Sequence, residues 1–205
     1  DLIDQCADGF EPPPEGLGGA TGLYCGEQDL FLFLIDPTGW VEIEDESFAP
    51  GFFLWNSEVG RRSLGVETFW FQAVCQNHIV WDAIKVVDYK RKHTANVRDA
   101  LYDVRGIIQA LVATRDQRRD GFVHAVKQAM LTRLGNDADE ALKSLAGSGI
   151  ARSLAKKAIE MAGEQGALTV FAVVDALTRL SRRIEYAGDR TEMDQQAGKL
   201  LTLAV

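Results

Sequence analysis

The stretch Asp29-Leu-Phe-Leu-Phe-Leu-Ile-Asp-Pro-Thr-Gly-Trp-Val-Glu-Ile43 sets the fold prediction for the N-terminal half of the chain. An apolar run over 29–35 is followed by the turn signal Asp36-Pro-Thr-Gly39 and by a second short run over 40–43. Proline at the second position and glycine at the fourth are typical of a tight turn. Two strand-like runs on either side of such a turn predict a β-hairpin.

Outward from this stretch, the N-terminal half continues to favour strands. Residues 1–22 are rich in proline and glycine and predict a loop, and residues 51–57 predict a third strand. Val66, Phe69, Trp70 and Ala73 are spaced by three and four residues, which predicts a short helix over 65–73. Residues 84–89 are β-branched and predict another strand.

From Thr94 onward, apolar residues recur at helical spacing. Thr94 is a suitable N-cap for the first of six helices, and Asp189 with Glu192 resembles a capping box for the last. Strands followed by helices predict an α+β fold: N-terminal antiparallel strands with a short helix, then a mostly helical half. We divide the chain into 1–93 and 94–205, as parts of one continuous compact unit.

Composition excludes several classes of protein. The 205 residues are 46% hydrophobic and 25% charged, unlike collagen, coiled-coil rods or disordered chains. Apolar runs stay well below the roughly 18 residues of a membrane span, so no membrane partner is expected. The net charge of -8 is unevenly distributed, because residues 1–60 hold 13 acids and no Lys or Arg. Residues 85–133, by contrast, hold 11 Lys and Arg against 5 Asp.

The chain ends and cysteines indicate a cellular setting. The chain begins with Asp1 and shows no basic-then-apolar leader, so we expect no signal peptide and further residues before Asp1. Three cysteines form an odd set, which favours a reducing cytoplasm over a disulfide-stapled secreted module. A local Cys6–Cys25 bridge is the less favoured alternative.

Three ordered blocks carry a family resemblance: Asn56-Ser-Glu-Val-Gly60, Val74-Cys-Gln-Asn-His78 and Arg91-Lys-His-Thr94. Asp175-Ala-Leu-Thr-Arg179 ahead of Ala197-Gly198 also fits. The chain resembles the phage/plasmid-like family known as domain of unknown function 932. The resemblance implies a mobile genetic element and the later part of a longer protein. Strands before helices is also the order in phage annealing proteins of the Rad fifty-two type, an analogy of fold only.

Basic residues beside the blocks predict nucleic-acid binding. Aromatic faces plus phosphate neutralisation are what single-stranded DNA requires, and Trp55, Trp70, Trp81 and Tyr89 precede the basic segment. The alternative interpretation is that the charges form a solvated helix face and the tryptophans form core. The candidate nucleic-acid contacts are Arg61, Arg62, Lys90, Arg91, Lys92 and Arg98.

The polar block residues have structural and functional interpretations. Asn and Ser after a strand commonly bond local backbone, and Asn77 is a natural helix C-terminus. A weaker alternative is a metal or thiol centre at Cys75, His78 and His93, because Cys-x2-His has the spacing of a ligand pair. The polar candidates are Asn56, Ser57, Glu58, Asn77, His78 and His93.

Three functional hypotheses follow. The first is a non-enzymatic protein that binds single-stranded DNA in recombination or annealing, as a homo-oligomer. The second is a structural or protein-interaction module, in which the acidic residues 1–60 meet the basic surface of another copy. The third is an enzyme at Cys75, His78 and His93. Phosphate-loop, dinucleotide and zinc-protease motifs are absent from the sequence, so we expect no cofactor and favour the first hypothesis.

Overall fold

The computed structural model describes residues 9–15, 22–57, 59–60, 62–81, 89–91, 97–164, 166 and 168–205. The fold is α+β, as predicted: within the described residues, antiparallel strands in the N-terminal half precede six helices. The chain divides into two units. We call Asp1–Gln76 with Asp82–Asp120 the sheet unit, and Asn77–Trp81 with Gly121–Val205 the helical unit.

The strands of the sheet unit are antiparallel to their neighbours. Along the sheet the order is β1, β2, β4, β5; β3 also pairs with β4, and β7 pairs with β5. Their bounds are β1 Leu23–Cys25, β2 Leu30–Ile35, β3 Val41–Ile43, β4 Glu46–Asn56, β5 Leu64–Gln72 and β7 Tyr89–Arg91.

The predicted hairpin between residues 29–35 and 40–43 is wrong. Both β2 and β3 pair antiparallel with β4, so they run in the same direction along one edge of that long strand. The turn between them shifts the chain sideways without reversing it. The Asp36 carboxylate accepts hydrogen bonds from the Thr38 amide at 3.0 Å and hydroxyl at 2.7 Å. The chain reverses at residues 44–45, where Glu44 has φ of 53°.

The predicted helix over 65–73 is also wrong, because this segment is β5. Seven of its nine residues are buried, so apolar side chains occupy both faces and the alternation of a half-exposed strand is lost. Spacings of three and four residues then imitate a helix. The register pairs Trp55 with Gly65, and a Cβ on Gly65 would lie 2.0 Å from the Trp55 ring.

One face of the sheet packs against helix α1, Val97–Ala113. Helix residues Val104, Ile108 and Leu111 join strand residues in one hydrophobic cluster. The opposite face is aromatic: the Phe33 and Phe53 rings stack at 4.9 Å, and Phe69 meets Phe33 edge-on. The strand members of the helix-facing cluster are Leu34, Phe52, Leu54 and Val66.

Helices dominate the helical unit, together with the short strand β6, Asn77–Ile79. Asp137 and Thr169 act as side-chain N-caps, accepting from the Glu140 amide at 2.8 Å and the Ala172 amide at 3.2 Å. The helices are α2 Arg115–Leu131, which begins in the sheet unit, α3 Ala138–Gly147, α4 Arg152–Glu164, α5 Val170–Ser181 and α6 Ala187–Lys199, followed by the 3-10 turn Leu200–Leu203.

The predicted capping box at Asp189 and Glu192 is wrong. Helix α6 begins two residues earlier, and its N-cap Tyr186 makes no side-chain capping bond. Asp189 therefore lies in the first turn, where a carboxylate interacts favourably with the helix dipole. None of the described helices is long and apolar enough to span a membrane.

Candidate functional site

A buried polar network in the helical unit joins two of the sequence blocks. The Asn77 side-chain amide donates to Asp175 Oδ1 at 3.2 Å, and Arg179 Nε lies 3.0 Å from Asp175 Oδ2. Asn77 is fully buried and Asp175 is 3% exposed. A buried carboxylate requires such partners, because its charge is otherwise costly to remove from water.

Local sequence explains why these side chains meet. Helix α5 is apolar on nearly all sides, so Asp175 has no solvent-facing alternative, and Arg179 one turn later is its i,i+4 partner. Asn77 was predicted to end a helix, which is wrong because strand β5 and a turn precede it directly. A turn over 73–76, with Gln76 at φ of 53°, leads directly into β6. Gly198 then packs on β6's continuation, since a Cβ there would lie 2.1 Å from the Val80 carbonyl oxygen.

Two further buried groups of the helical unit, His78 and Asp194, are held in uncharged forms. Burial, followed by the positive charges of Arg190 and Arg182, lowers the pKa of His78 to about 3. Burial also raises the pKa of Asp194 to about 8, although the Ser181 hydroxyl donates a hydrogen bond to it. At neutral pH the imidazole is therefore neutral and most of the Asp194 carboxyl is protonated.

Burial limits the chemistry that His78 and Asp194 can perform. His78 is 4% exposed and Asp194 is 3% exposed, so neither reaches a solvent-borne substrate in this conformation. Within the described ranges, no three His, Cys, Asp or Glu side chains cluster closely enough to hold a metal ion. Cys75 is half-buried, Cys25 carries an exposed free thiol, and Cys6 and His93 lie outside the described residues. The Asn77–Asp175 bond joins β6 to α5, and the Ser181–Asp194 bond joins α5 to α6.

In the sheet unit, buried aspartates at strand ends pair with arginines. Arg62 Nε lies 3.2 Å from Asp29 Oδ2, and its guanidinium carbon lies 5.6 Å from the centre of the Phe31 ring. The Ser57 hydroxyl donates to the Gln28 carbonyl at 2.6 Å. Ser57 therefore fastens the end of β4 to the loop before β2, through a backbone carbonyl 29 positions away and not through the local backbone that its sequence context suggests.

A second pair joins α2 to the turn after β2. Arg115 Nη2 lies 2.7 Å from Asp36 Oδ2. Arg118, which is 5% exposed, lines the same small cavity as Arg115, together with Phe10 and Phe52. Two bases of the predicted basic segment are thus held within the fold of the sheet unit.

The backbone register places two predicted basic segments together. Arg91 pairs with Leu64 and Lys90 with Gly65, so the end of β7 adjoins the start of β5, two residues after Arg62. Arg98 belongs to the first turn of α1. The side chains of Lys90, Arg91 and Arg98 lie outside the described part of the chain, as do Glu58, Arg61, Lys92 and His93 entirely.

Two of the predicted stacking tryptophans are core residues. Trp55 is 8% exposed and Trp70 is 1% exposed, so the prediction that bases stack on these two rings is wrong. Trp81 is half-buried with its ring 6.0 Å from the Phe122 ring, and the Tyr89 side chain lies outside the described part of the chain. Asn56 is half-buried at the end of β4.

Four residues of these polar contacts were not among the candidate site residues predicted from sequence: Asp175, Arg179, Ser181 and Asp194. A lone aspartate inside the apolar Val-Phe-Ala-Val-Val run of α5 was a usable signal, because an acid there needs a partner. Nothing comparable marks Asp194, which lies in a polar helix.

Comparison of the chain with protein-family models, curated proteins and solved structures finds no match. Function must therefore be inferred from the residues and their geometry.

Proposed function

We propose that this chain is a non-enzymatic protein of a phage or plasmid that binds single-stranded DNA in recombination or annealing, as a homo-oligomer in the cytoplasm. The contacts would be six basic residues, of which Lys90 and Arg91 lie in β7 and Arg62 lies two residues before β5. These are Arg61, Arg62, Lys90, Arg91, Lys92 and Arg98.

One observation carries the proposal. Arg62 and Arg91 come from segments 29 positions apart, yet the Leu64–Arg91 pairing brings those segments to the same end of one ladder. Convergence of separate basic segments is the arrangement that a polyanion requires, because each phosphate contact releases counterions. Arg62 keeps 26% of its side chain exposed while paired with Asp29, which holds its guanidinium at this end.

The burial of His78 counts against the alternative of an enzyme centred on Cys75, His78 and His93, since an acid–base group must reach its substrate. Because Trp55 and Trp70 are buried, we expect phosphate contacts to contribute more to the affinity than base stacking does. Binding should therefore be strongly dependent on salt and weakly dependent on sequence.

Fluorescence anisotropy with a labelled single strand tests the proposal. Low micromolar binding is expected. The logarithm of the binding constant should fall linearly with the logarithm of the salt concentration, with a slope of about 0.7 for each phosphate contact. Arg91→Glu with Lys92→Glu should remove at least two such contacts. Lys127→Glu with Lys199→Glu is the matched control, because both lysines are exposed on helices of the helical unit.

Absence of salt-sensitive binding, or equal loss in the two double variants, would overturn the assignment. Light scattering over a series of salt concentrations tests the oligomer separately. A monomer at every salt concentration would remove that part of the proposal.

A further inference from the structure

Helices α3 and α4 form a helix–turn–helix, which we call the α3–α4 hairpin (Ala138–Gly147, turn 148–151, Arg152–Glu164). The turn is short and sharply defined. Gly149 has φ of 83°, its amide donates to the Ala146 carbonyl at 3.1 Å, and the Ile150 amide donates to Leu145 at 3.0 Å. Buried Ile150 then anchors the turn. Two helices joined by about four residues with a glycine is the layout of many DNA-binding hairpins.

The two faces of α4 differ sharply. Its inner face consists of small or compact residues that pack against the neighbouring helices: Ala155, Ala158, Ile159 and Ala162. Its outer face begins with Arg152, Lys156 and Lys157, all exposed. The helix rises by about 7.5 Å over the six residues from 152 to 157, so three positive charges lie within the first two turns.

These three bases differ from several others in having no ion-pair partner among the described residues. Arg62, Arg115 and Arg119 each lie within 4.0 Å of an aspartate. Among the described residues, no carboxylate forms an ion pair with Arg152, Lys156 or Lys157. Phosphate could therefore bind them without displacing an ion pair in the described part of the chain.

We propose that the α3–α4 hairpin binds double-stranded DNA, with the first two turns of α4 directed at the groove and its phosphate edges. An α-helix of about 10–12 Å diameter fits the B-form major groove, which is about 12 Å wide. The exposed residues around the start of α4 have small side chains or none: Ser148, Gly149, Ala151 and Ser153. A phosphodiester backbone can therefore come close to the helix start.

Duplex rather than single-stranded DNA is the partner that the composition favours. Neither α3 nor α4 contains an aromatic residue, so this surface has no ring on which an unpaired base could stack. Asp139 and Glu140 in the first turn of α3, and Glu160 and Glu164 farther along α4, are exposed and repel phosphate, so the positive charge is confined to the first two turns of α4. The charge gradient orients the helix with its N-terminal half toward the DNA.

Anisotropy with a labelled duplex of about 20 base pairs, two turns of B-DNA, tests this inference against the same labelled single strand. The test variant is Arg152→Gln with Lys156→Gln and Lys157→Gln. The matched control is Lys127→Gln with Arg183→Gln and Lys199→Gln, which removes three exposed charges from elsewhere in the same unit.

For duplex binding, the slope of the logarithm of the binding constant against the logarithm of the salt concentration should be steeper by about 2.7 in the wild type than in the test variant, because each of the three lost contacts contributes about 0.9. Between about 50 and 200 mM salt the wild type should therefore lose about 40-fold more affinity than the variant. Lys156→Arg with Lys157→Arg keeps the charges and should retain binding. Thermal melting by circular dichroism verifies that each variant is folded.

Equal duplex affinity and slope in the test and control variants would overturn the inference. Loss of single-strand binding in the test variant, with duplex binding unchanged, would also overturn it. The outcome is independent of the proposed single-strand site, because that site is tested by Arg91→Glu with Lys92→Glu and a different probe.

Discussion

Replacing Asp194 with Asn should remove a loss of stability that the wild type suffers as pH rises from 6.5 to 8. The buried carboxyl has a folded-state pKa of about 8 against an ordinary value of 3.8. Between these values the unfolded chain carries an ionised Asp194, and folding must place a proton on it. The free energy of unfolding therefore falls by about 1.4 kcal/mol per pH unit from this group alone.

His78 has the opposite effect at lower pH. Its pKa falls from 6.5 to about 3 on folding, so folding expels a proton wherever the unfolded imidazole is charged. That group alone makes stability fall as pH drops below 6.5. Between pH 4 and 6.5 one proton is bound at Asp194 while another is released from His78, and the two effects cancel. Above pH 6.5 the Asp194 effect stands alone, at about 2 kcal/mol by pH 8.

Asp194→Asn should therefore reshape the profile. Relative to the wild type, the variant gains about 1.4 kcal/mol per pH unit throughout pH 4 to 8. With only His78 remaining, its own profile is level above pH 6.5 and slopes downward below it. Urea unfolding followed by circular dichroism at half-unit pH steps gives both curves. Glu185→Gln, at an exposed position, is the control and should parallel the wild type.

A constant difference between wild type and Asp194→Asn across this pH range would refute the reasoning. It would mean that Asp194 ionises in the folded protein much as it does in the unfolded chain. A difference that appears only below pH 5 would contradict the raised pKa in the same way. His78→Gln provides an independent check, because stability should then rise continuously as pH falls from 8 to 4.

Three further substitutions test the packing. Gly65→Ala should destabilise the protein by about 2 kcal/mol or more in urea unfolding, because the new methyl overlaps the Trp55 ring. Asn77→Ala should cost about 1–3 kcal/mol by removing a buried donor to Asp175, whereas retained stability would show that the bond is dispensable. Gly106→Ala should raise stability by about 0.5–1 kcal/mol, since the new methyl on this helical residue would meet no described atom within 4 Å; a decrease would contradict the open environment of α1.

The helices could be predicted from sequence more closely than the strands. Apolar residues of α4 recur on one face, and glycines lie at or near the ends of α3 and α4, so their positions follow from local periodicity and capping. The segment of β5 could not be read in this way. Its residues are buried on both faces, and a strand of that kind has no alternation to reveal it.

Strand pairing depended on information that no local pattern contains. Asp36-Pro-Thr-Gly39 forms a tight turn, as predicted, but whether that turn reverses the chain depends on which strand lies beside it. The eleven-residue β4 offers one edge long enough for β2 and β3 in succession. Pairing with a third segment therefore replaced the local hairpin.

By itself, the sequence determined the α+β class, the helical second half and the uneven charge, because these follow from composition and short-range periodicity. Only the tertiary structure decided which polar residues are partners. Asn77 and Asp175 are 98 positions apart, and their contact depends on β6 packing against α5. Burial likewise decided the charge states of His78 and Asp194, because the cost of ionisation depends on the surrounding atoms and not on neighbours in sequence.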